Sequence, residues 1–309
     1  MKTLHGKTQQ GKGPACWAGV SRRAVSSAFL VSWLVPDMLL GAASAESASP
    51  AIPRKSPMVK VPSGQMAAPD IARILNRGEL LVAIIASDSA PFFSEKDGAM
   101  VGTDVNVARL IAKELGVPVR FDRTAKTFEA VVELAAEGRV DIGMGRLAKT
   151  VRRAQKVSFS TTYMKLPHSF LINRLEFSKE SGNRSAPNVI RNFSGTLGVI
   201  GRSAWEEFGR RNFPKAKIVP YATWDQVIEA VKKGEVVAAY RDEFEIQKIM
   251  RADPGLALKL RTVTFNDIES LLSLMIGIQD TSLLSFVNEV ITLRTEKPTV
   301  AMLLKEMKE

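Results

Sequence analysis

The feature that most constrains the fold is a fourteen-residue stretch of sequence that occurs twice, at an offset of 96 positions. Residues 127–140 read TFEAVVELAAEGRV, and residues 223–236 read TWDQVIEAVKKGEV. Each copy predicts one unit, in which a threonine caps an amphipathic helix, a glycine ends it and a buried strand follows. Two such units so far apart indicate two lobes of similar α/β build.

Strand-like and helix-like patterns alternate around both copies. A continuous apolar run covers residues 80–86, strand-like segments cover residues 117–122, 139–144 and 217–221, and apolar residues recur at helical spacing over residues 105–115. Strands that alternate with helices predict βαβ units and a mostly parallel sheet in each lobe. The alternative is a chance similarity between two unrelated helix–strand units.

Two further apolar runs, residues 168–173 and 270–278, lie where the chain would have to pass between the lobes. Two extended crossings of this kind make a hinge. The predicted first lobe combines residues 70–167 and 273–309, and the predicted second lobe is residues 168–272. Because open α/β sheets bind ligands beyond the carboxyl ends of their strands, we expect a cleft lined by strand ends and helix starts.

The first 45 residues have the three-part order of a secretory signal. A basic start precedes an apolar stretch over residues 24–40, and Ala43, Ser44 and Ala45 end it like a cleavage site. A membrane anchor is the alternative, but the run is short for a span and is broken by Asp37. Residues 46–69 hold five prolines and predict a disordered linker. The true start codon and the cleavage site stay open.

The charge and the rare residues exclude several classes of function. The net charge is +11, from 43 Lys+Arg against 32 Asp+Glu, and its basic residues are dispersed without an aromatic–basic stripe, so no nucleic-acid partner is predicted. One cysteine and two histidines exclude an internal disulfide and a His-rich metal site. No cofactor or metal is predicted. His168 is the only histidine outside the leader, and we predict that the protein is not an enzyme.

Several residues are candidates for the cleft. The 96-residue register pairs Arg146 with Asp242, each just after the repeated strand. Opposite charges at equivalent positions suit a zwitterion, but the two residues could instead form an ion pair that closes an empty cleft. Arg153 can grip a carboxylate through two parallel N–H bonds, although it could also lie on a solvated helix face. Ser203 and Phe128 each lie at a predicted helix start. Ser203 could contact a ligand or only cap its helix, and Phe128 could contact a ligand or only pack in the core.

Three stretches together resemble the bacterial extracellular solute-binding proteins of family 3, the polar amino-acid-binding components of ABC importers. They are GTDVNVARLIA from Gly102, GRVDIGM from Gly138, and the pattern T-x-x-R-x-x-x-V-x-F-S from Thr150. The resemblance implies a two-lobed periplasmic-binding-protein fold of the type II-like class. Each lobe would be a mainly parallel sheet flanked by helices, and a two-strand hinge would let the lobes close on an amino acid.

Carried over by position, the resemblance assigns roles to individual residues. Arg153 would bind the ligand α-carboxylate with help from the Ser203 hydroxyl, Asp242 would hold the α-ammonium group, and Phe128 would line the pocket. The remaining predicted site residues are Ser89, Gly145, Ala148 and Thr150. Arg146 departs from the family, which has a small residue there, and this extra arginine would favour an acidic ligand side chain or fill the space itself. Ser89 and Ala148 depart as well, from residues that are often aromatic and hydroxylic.

The predicted function is capture of an amino acid or a similar small carboxylate-bearing solute in the periplasm, for delivery to an inner-membrane ABC permease. The protein would act as a monomer. Two alternatives stay open at this stage. One is an accessory or sensor protein that kept the fold without a transport role, and the other is a periplasmic dehydratase-like enzyme that uses a carboxylic acid such as Glu243 or Glu245. The identity and affinity of the ligand stay open too.

Overall fold

The computed structural model describes residues 58–294 and 297–307. The predicted leader therefore lies outside the described residues. Within the described ranges, no helix combines the length and the apolar character that a membrane span requires. The strands are β1 (Val59–Lys60), β2 (Met66–Ala67), β3 (Leu80–Ala83), β4 (Ser94–Lys96), β5 (Ala99–Val101), β6 (Val119–Asp122), β7 (Ile142–Gly143), β8 (Val157–Phe159), β9 (Met164–Asn173), β10 (Thr196–Ile200), β11 (Lys217–Tyr221), β12 (Ala238–Asp242), β13 (Leu260–Leu272) and β14 (Met275–Gly277).

The helices alternate with these strands along most of the chain. They are α1 (Pro69–Arg77), α2 (Thr103–Leu115), α3 (Phe128–Ala136), α4 (Val151–Ala154), α5 (Arg174–Ser181), α6 (Ala186–Arg191), α7 (Ala204–Asn212), α8 (Trp224–Lys233), α9 (Glu243–Ala252), α10 (Thr281–Arg294) and α11 (Val300–Glu306), with a short 3-10 turn at Pro254–Leu258.

Two five-stranded sheets organise the molecule. The first has the order β6–β3–β7–β14–β8, and the second has the order β11–β10–β12–β9–β13. In each sheet three strands pair in parallel in the same relative order, and one strand, β14 or β9, runs antiparallel to both of its neighbours. We call each sheet with its helices a lobe. This arrangement confirms the predicted two-lobed α/β fold.

The repeated unit folds in the same way in both lobes. The side chains of Thr127 and Thr223 accept hydrogen bonds from backbone N–H groups in the first turns of α3 and α8. In the second copy Gln226 also reaches back to the backbone of Thr223 and completes a capping box. The strand after the first copy is shorter than predicted, since only residues 142 and 143 pair as β7.

The linker prediction is wrong for its described end. Residues 59–67 form an antiparallel pair of short strands, β1 and β2, and α1 begins at Pro69. A turn at Gly64 joins the strands, with the N–H of Gly64 bonded to the carbonyl of Val61 at 2.8 Å. The side chain of Val61 is buried, and burial of this apolar side chain is what orders the segment.

The connection between the lobes is a pair of neighbouring extended segments. β9 and β13 pair along their length inside the second sheet, with a register shift between Thr264 and Glu269. Residues 168–173, which we predicted as a crossing, lie within this sheet. Beyond it, Tyr163 bonds to Leu272 and Ser160 bonds to Leu274 through their backbones. The lobe boundaries and the hinge stay predictions. The helix α11 packs against α9 of the second lobe, although the sequence pattern places residues 273–309 in the first lobe.

The lobes touch through buried side chains near the cleft. Phe92, which precedes β4 in the first lobe, meets Phe244 on α9 of the second lobe edge to face, with ring centroids 5.0 Å apart. Both side chains are fully buried. An edge-to-face pair adds about 0.5–1.5 kcal/mol to the burial of its area. The lobes are therefore closed on each other in this structure.

Candidate functional site

A small cavity, which we call the inner cavity, lies between the lobes where the strands end. Its volume is about 20 Å³, which is room for one or two water-sized groups. Both lobes contribute to its wall, which consists of Phe128, Arg146, Ala148, Arg153, Leu166, Ser203, Ala204, Trp205, Arg241, Asp242, Ser270 and Leu272. The structure thus brings six of the nine predicted site residues to one cavity, and it places Ser89, Gly145 and Thr150 outside its wall.

Arg146 crosses from the first lobe to the second. Its guanidinium group donates to Asp242 Oδ2 at 2.9 Å, and also to Glu245. On its own side it donates to the Ser89 hydroxyl at 3.0 Å and lies 4.4 Å from the centre of the Phe92 ring. Burial opposes the charge of Arg146, but the two carboxylates raise its pKa above the ordinary value. The ion pair that we weighed as the alternative to ligand contact is therefore present.

The backbone of Arg146 is held in the left-handed region at φ 59°, which costs a non-glycine residue about 1–3 kcal/mol. The buried carboxylate of Asp104 accepts the Arg146 N–H at 2.9 Å and fixes this conformation. Burial raises the pKa of Asp104 to about 6, against the opposing hydrogen bond from that N–H. The strain therefore lies at the residue that closes the cleft.

Asp242 is the N-cap of α9, where it accepts the N–H of Glu245 at 3.0 Å through Oδ1. Its other oxygen, Oδ2, accepts from Arg146 and, at 3.4 Å, from Nε of Arg241. Glu245 is buried as well. Burial alone would raise its pKa, but Arg146, Arg241 and Lys248 lower it to about 2. Glu245 is therefore ionised and is a poor proton donor.

Arg241 is a site residue that the sequence reasoning missed. It is 6% exposed, and its guanidinium carbon lies 5.6 Å from the ring centre of Trp205 and 5.3 Å from that of Trp224. Burial lowers its pKa although the neighbouring carboxylates oppose this. Its Nη1 atom is buried and has no hydrogen-bond partner among the described residues. The one available signal was its position directly before Asp242 at the end of a buried strand.

Arg153 is buried and not on a solvated face. Its Nε and Nη2 atoms both donate to Oε1 of Glu129, at 3.1 and 2.7 Å, and its Nη1 donates to the carbonyl of Ala148 at 2.9 Å. Thr150 caps the short helix α4 by accepting the N–H of Arg153. A carboxylate from the protein itself thus occupies the two N–H groups that we predicted for a ligand. Glu129 was missed because the contact joins separate helices.

Ser203 and Phe128 have partly structural roles. The Ser203 hydroxyl donates to the carbonyl of Ile200 at 2.6 Å and accepts the N–H of Trp205 at 3.1 Å, so it caps α7. Glu206, in the first turn of the same helix, accepts the N–H of Arg202 at 2.8 Å. Phe128, which is half-buried, separates the inner cavity from a wider opening.

That opening, which we call the outer cleft, has a volume of about 1,040 Å³. It shares Phe128, Arg153 and Ser203 with the inner cavity. Its wall is rich in charge of both signs. The charged residues there are Lys126, Glu129, Glu133, Arg152, Arg153, Lys156, Arg202 and Glu206. The two spaces form one interlobe site, with a narrow inner end and a wide mouth.

The described residues contain no group of three or more His, Cys, Asp or Glu side chains placed to hold a metal ion. His168 is buried and lies between the Tyr240 hydroxyl and Ser270, with its Nε2 atom 2.9 Å from the Ser270 hydroxyl. Burial lowers the pKa of His168 to about 3, so the ring is neutral at physiological pH. It is a hydrogen-bonded core residue behind the cavity wall.

Comparison with known proteins decides the family. The profile of the bacterial extracellular solute-binding proteins, family 3, matches residues 81–306. The chain belongs to this family. The match covers both lobes and confirms the resemblance drawn from the three sequence stretches.

Individual relatives are distant. The chain is 25% identical over 198 residues to a probable amino-acid ABC transporter-binding protein of Haemophilus influenzae, covering 62% of this chain and 70% of that protein. It is 22% identical over 176 residues to an arginine-binding periplasmic protein of Mannheimia haemolytica, covering 56% and 68%. It is also 26% identical over 194 residues to the cyclohexadienyl dehydratase of Pseudomonas aeruginosa, covering 60% and 66%. Both binding proteins and an enzyme are thus among its relatives.

Solved structures share the fold. The ancestral amino acid-binding protein AncCDT-1, a precursor of cyclohexadienyl dehydratase, matches with a TM-score of 0.56 and 26% identity, over 76% of this chain and 98% of that one. An amino acid ABC transporter substrate-binding protein from Streptococcus pneumoniae, bound to L-arginine, matches with a TM-score of 0.58 and 21% identity, over 76% and 96%.

Proposed function

We propose that this family 3 protein captures a small carboxylate-bearing solute of amino-acid size between its lobes and delivers it to an ABC importer. The observation that carries the proposal is the convergence of two buried arginines, Arg153 from the first lobe and Arg241 from the second, on one interlobe cavity. Arginine binds carboxylates through paired, charge-assisted hydrogen bonds. Two lobes that both present arginine to one space suit an anionic ligand.

Ligand entry requires the lobes to separate, because the inner cavity of about 20 Å³ is too small for an amino acid. A ligand carboxylate would then compete with Glu129 for Arg153. Closure would be favoured only by contacts that the ligand makes in the closed state and not in the open one. The bond between Arg146 and Asp242 joins the two lobes and adds to the contacts that favour the closed state.

The cellular setting is part of the proposal. We place the protein in the periplasm after removal of residues 1–45, as a monomer whose partner is an inner-membrane ABC permease. Relatives named as an ABC transporter-binding protein and as a periplasmic protein support this setting. We also propose that it is not an enzyme. The low pKa of Glu245 supports this, since an ionised carboxylate cannot act as the acid of a dehydratase.

A thermal-shift screen of the purified protein tests the proposal. The panel contains amino acids, 2-oxo acids, opines, small dicarboxylates and polyamines, the last as cationic controls. A true ligand at about 100 times its dissociation constant adds roughly 2.7 kcal/mol to the unfolding free energy. We expect a shift with at least one carboxylate and none with the polyamines. A flat response to every compound would contradict the proposal.

One observation favours a second candidate, an accessory or sensor protein on the same fold. Protein side chains already occupy both charged subsites, because Arg146 bonds to Asp242 and Glu129 bonds to Arg153. A protein that stays closed in this way would have no need of a solute. A flat thermal-shift screen, together with a gene neighbourhood that lacks permease and ATPase genes, would favour this candidate.

A further inference from the structure

We propose that the inner cavity takes the carboxylate group of a solute that carries no ammonium group beside it, so that the protein selects organic acids over amino acids. The inference rests on the proposed function, since it names the class of solute for the same interlobe site. Four observations support it: the charge of the cavity wall, an unpartnered guanidinium nitrogen, a free hydroxyl hydrogen and the size of the two spaces.

Three arginines line the inner cavity, and the carboxylates of Glu129 and Glu245, outside its wall, pair with two of them, Arg153 and Arg146. Among the residues that line it are three arginines, at positions 146, 153 and 241, and a single carboxylate, that of Asp242. Both oxygens of this carboxylate are in use, one by the N–H of Glu245 and the other by the guanidinium groups of Arg146 and Arg241. An ammonium group in the cavity would find its acceptor occupied and guanidinium groups around it, which like-charge repulsion disfavours strongly.

Arg241 supplies a donor that lacks an acceptor. Its Nη1 atom is buried and has no partner among the described residues, although the side chain as a whole is 6% exposed. Leaving a charged donor unsatisfied in the protein interior is costly, and a carboxylate oxygen is the acceptor that guanidinium binds best. The two tryptophan rings beside it, Trp205 and Trp224, hold the group in place.

Ser270 supplies a second donor through a chain of hydrogen bonds. The Asn212 amide donates to the Tyr240 hydroxyl oxygen at 3.0 Å, and we assign the hydrogen of that hydroxyl to the bond with Nδ1 of His168. The neutral ring then carries its hydrogen on Nε2 and donates it to the Ser270 oxygen at 2.9 Å. This assignment follows from the network. It leaves the hydroxyl hydrogen of Ser270, in the cavity wall, to be donated to a ligand.

The sizes of the two spaces fit a carboxylate head with a longer body. The inner cavity of about 20 Å³ suits the two oxygens of a carboxylate, given about 10–15 Å³ for each water-sized group. The body of the solute would extend past Phe128 into the outer cleft of about 1,040 Å³. Arg146 keeps its place between the lobes in this arrangement and stands where a small residue would leave room for an ammonium group.

Calorimetric titration with matched pairs of solutes tests the inference. Each pair has one carbon skeleton and differs only in an oxo or an ammonium group: pyruvate and L-alanine, 2-oxoglutarate and L-glutamate, 4-methyl-2-oxopentanoate and L-leucine. For at least one pair, the wild-type protein should bind the oxo acid at least about tenfold more tightly than the amino acid. Arg146→Ser frees Asp242 and should move this ratio at least about tenfold toward the amino acid.

Arg251→Ser, which removes an exposed arginine from α9, is the matched control and should leave the ratio unchanged. If Arg146→Ser does not fold, the wild-type ratio alone decides. If solutes bind but no pair shows the tenfold preference for the oxo acid, the inference is overturned and the proposed function stands. Absence of binding across all six solutes, in wild type and variant alike, overturns the inference, and only a thermal-shift screen that is flat for every compound overturns the proposed function as well.

Discussion

The two copies of the repeat build the same backbone and then diverge at the residue that faces the cleft. In the first lobe the chain leaves β7 through a loop in which Gly145 and Arg146 both have positive φ. In the second lobe it leaves β12 directly into α9, with Asp242 as an ordinary N-cap. The repeated unit supplies the scaffold in both lobes. The chemistry of the site comes from the segment that follows it.

The divergence makes the two lobes unequal partners. Arg146 is strained, buried and dependent on Asp104, Asp242 and Glu245 for its position. Asp242 is unstrained, and it serves the helix and the cavity at once. The first lobe therefore contributes the strained residue that reaches across the cleft, and the second lobe contributes the residue that anchors it. The variants below measure this inequality, from the largest expected effect to the smallest.

Asp242→Ala should have the largest effect. It leaves the buried guanidinium group of Arg241 without its carboxylate partner and that of Arg146 with Glu245 alone, and loss of one partner of a buried ion pair costs about 3–5 kcal/mol. Chemical denaturation measures the free energy of unfolding. Asp225→Ala is the control, since Asp225 lies in the first turn of α8 but is exposed. Equal costs for the two variants would show that Asp242 acts only at a helix start.

Arg153→Ala should weaken binding of the identified solute by about 1.5–3 kcal/mol, the value of a hydrogen bond to a charged group. That corresponds to about 10–150-fold in the dissociation constant. Arg152→Ala is the matched control, because Arg152 also bonds to Glu129 but is half exposed. Calorimetric titration compares the two. Equal losses would place the ligand outside the inner cavity.

The two lobes should respond in opposite ways to pH. In the second lobe the pKa of Glu245 falls from 4.5 to about 2, so the stability that it contributes is present above pH 4.5 and is lost as the pH falls toward 2. In the first lobe the pKa of Asp104 rises from 3.8 to about 6, so its contribution is present below pH 3.8 and is lost as the pH rises through about 6.

Denaturation across this pH range checks both directions. Glu245→Gln should remove the loss of unfolding free energy on the acid side, and Asp104→Asn should remove the loss between pH 4 and pH 6. Each substitution keeps the shape of the side chain and removes only its titration. A pH profile that either variant leaves unchanged would show that the carboxyl group concerned does not titrate as its burial and partners require.

The capping threonines should have the smallest effect and should match each other. Thr127→Ala and Thr223→Ala each remove one cap bond, worth about 1 kcal/mol. Because each threonine accepts one bond, from the N–H of the third residue after it, the losses in unfolding free energy should agree within about 0.5 kcal/mol, the usual limit of additive behaviour. A large difference would mean that the lobes do not share the local energetics of the repeat.

Local and periodic features were predictable from the sequence, and tertiary contacts were not. The helix caps at Thr127 and Thr223 could be predicted from the repeat, because each cap bond joins residues only three positions apart in the sequence. Its register also brought Arg146 and Asp242 together as possible partners. No local signal shows that Glu129 reaches Arg153, since they lie on separate helices that only the fold brings together. The role of Arg241 could not be predicted for a similar reason, because its position in the wall of the inner cavity depends on where β12 ends.

The length of a strand could not be predicted from the local sequence pattern either. The pattern of residues 139–144 predicts a strand of six residues, yet only Ile142 and Gly143 pair as β7. Gly145 and Arg146, with positive φ, turn the chain out of the sheet soon after. The loop that places Arg146 therefore accounts for the end of the strand after Gly143 but not for its late start at Ile142.

The crystal structure of the protein with its tightest-binding carboxylate would test the central claim most directly. We predict a ligand between the lobes, with a carboxylate oxygen within about 3.2 Å of Arg241 Nη1 or Ser270 Oγ, and Arg146 still bonded to Asp242. A ligand whose ammonium group replaces Arg146 on Asp242, or one bound away from the interlobe site, would contradict the account.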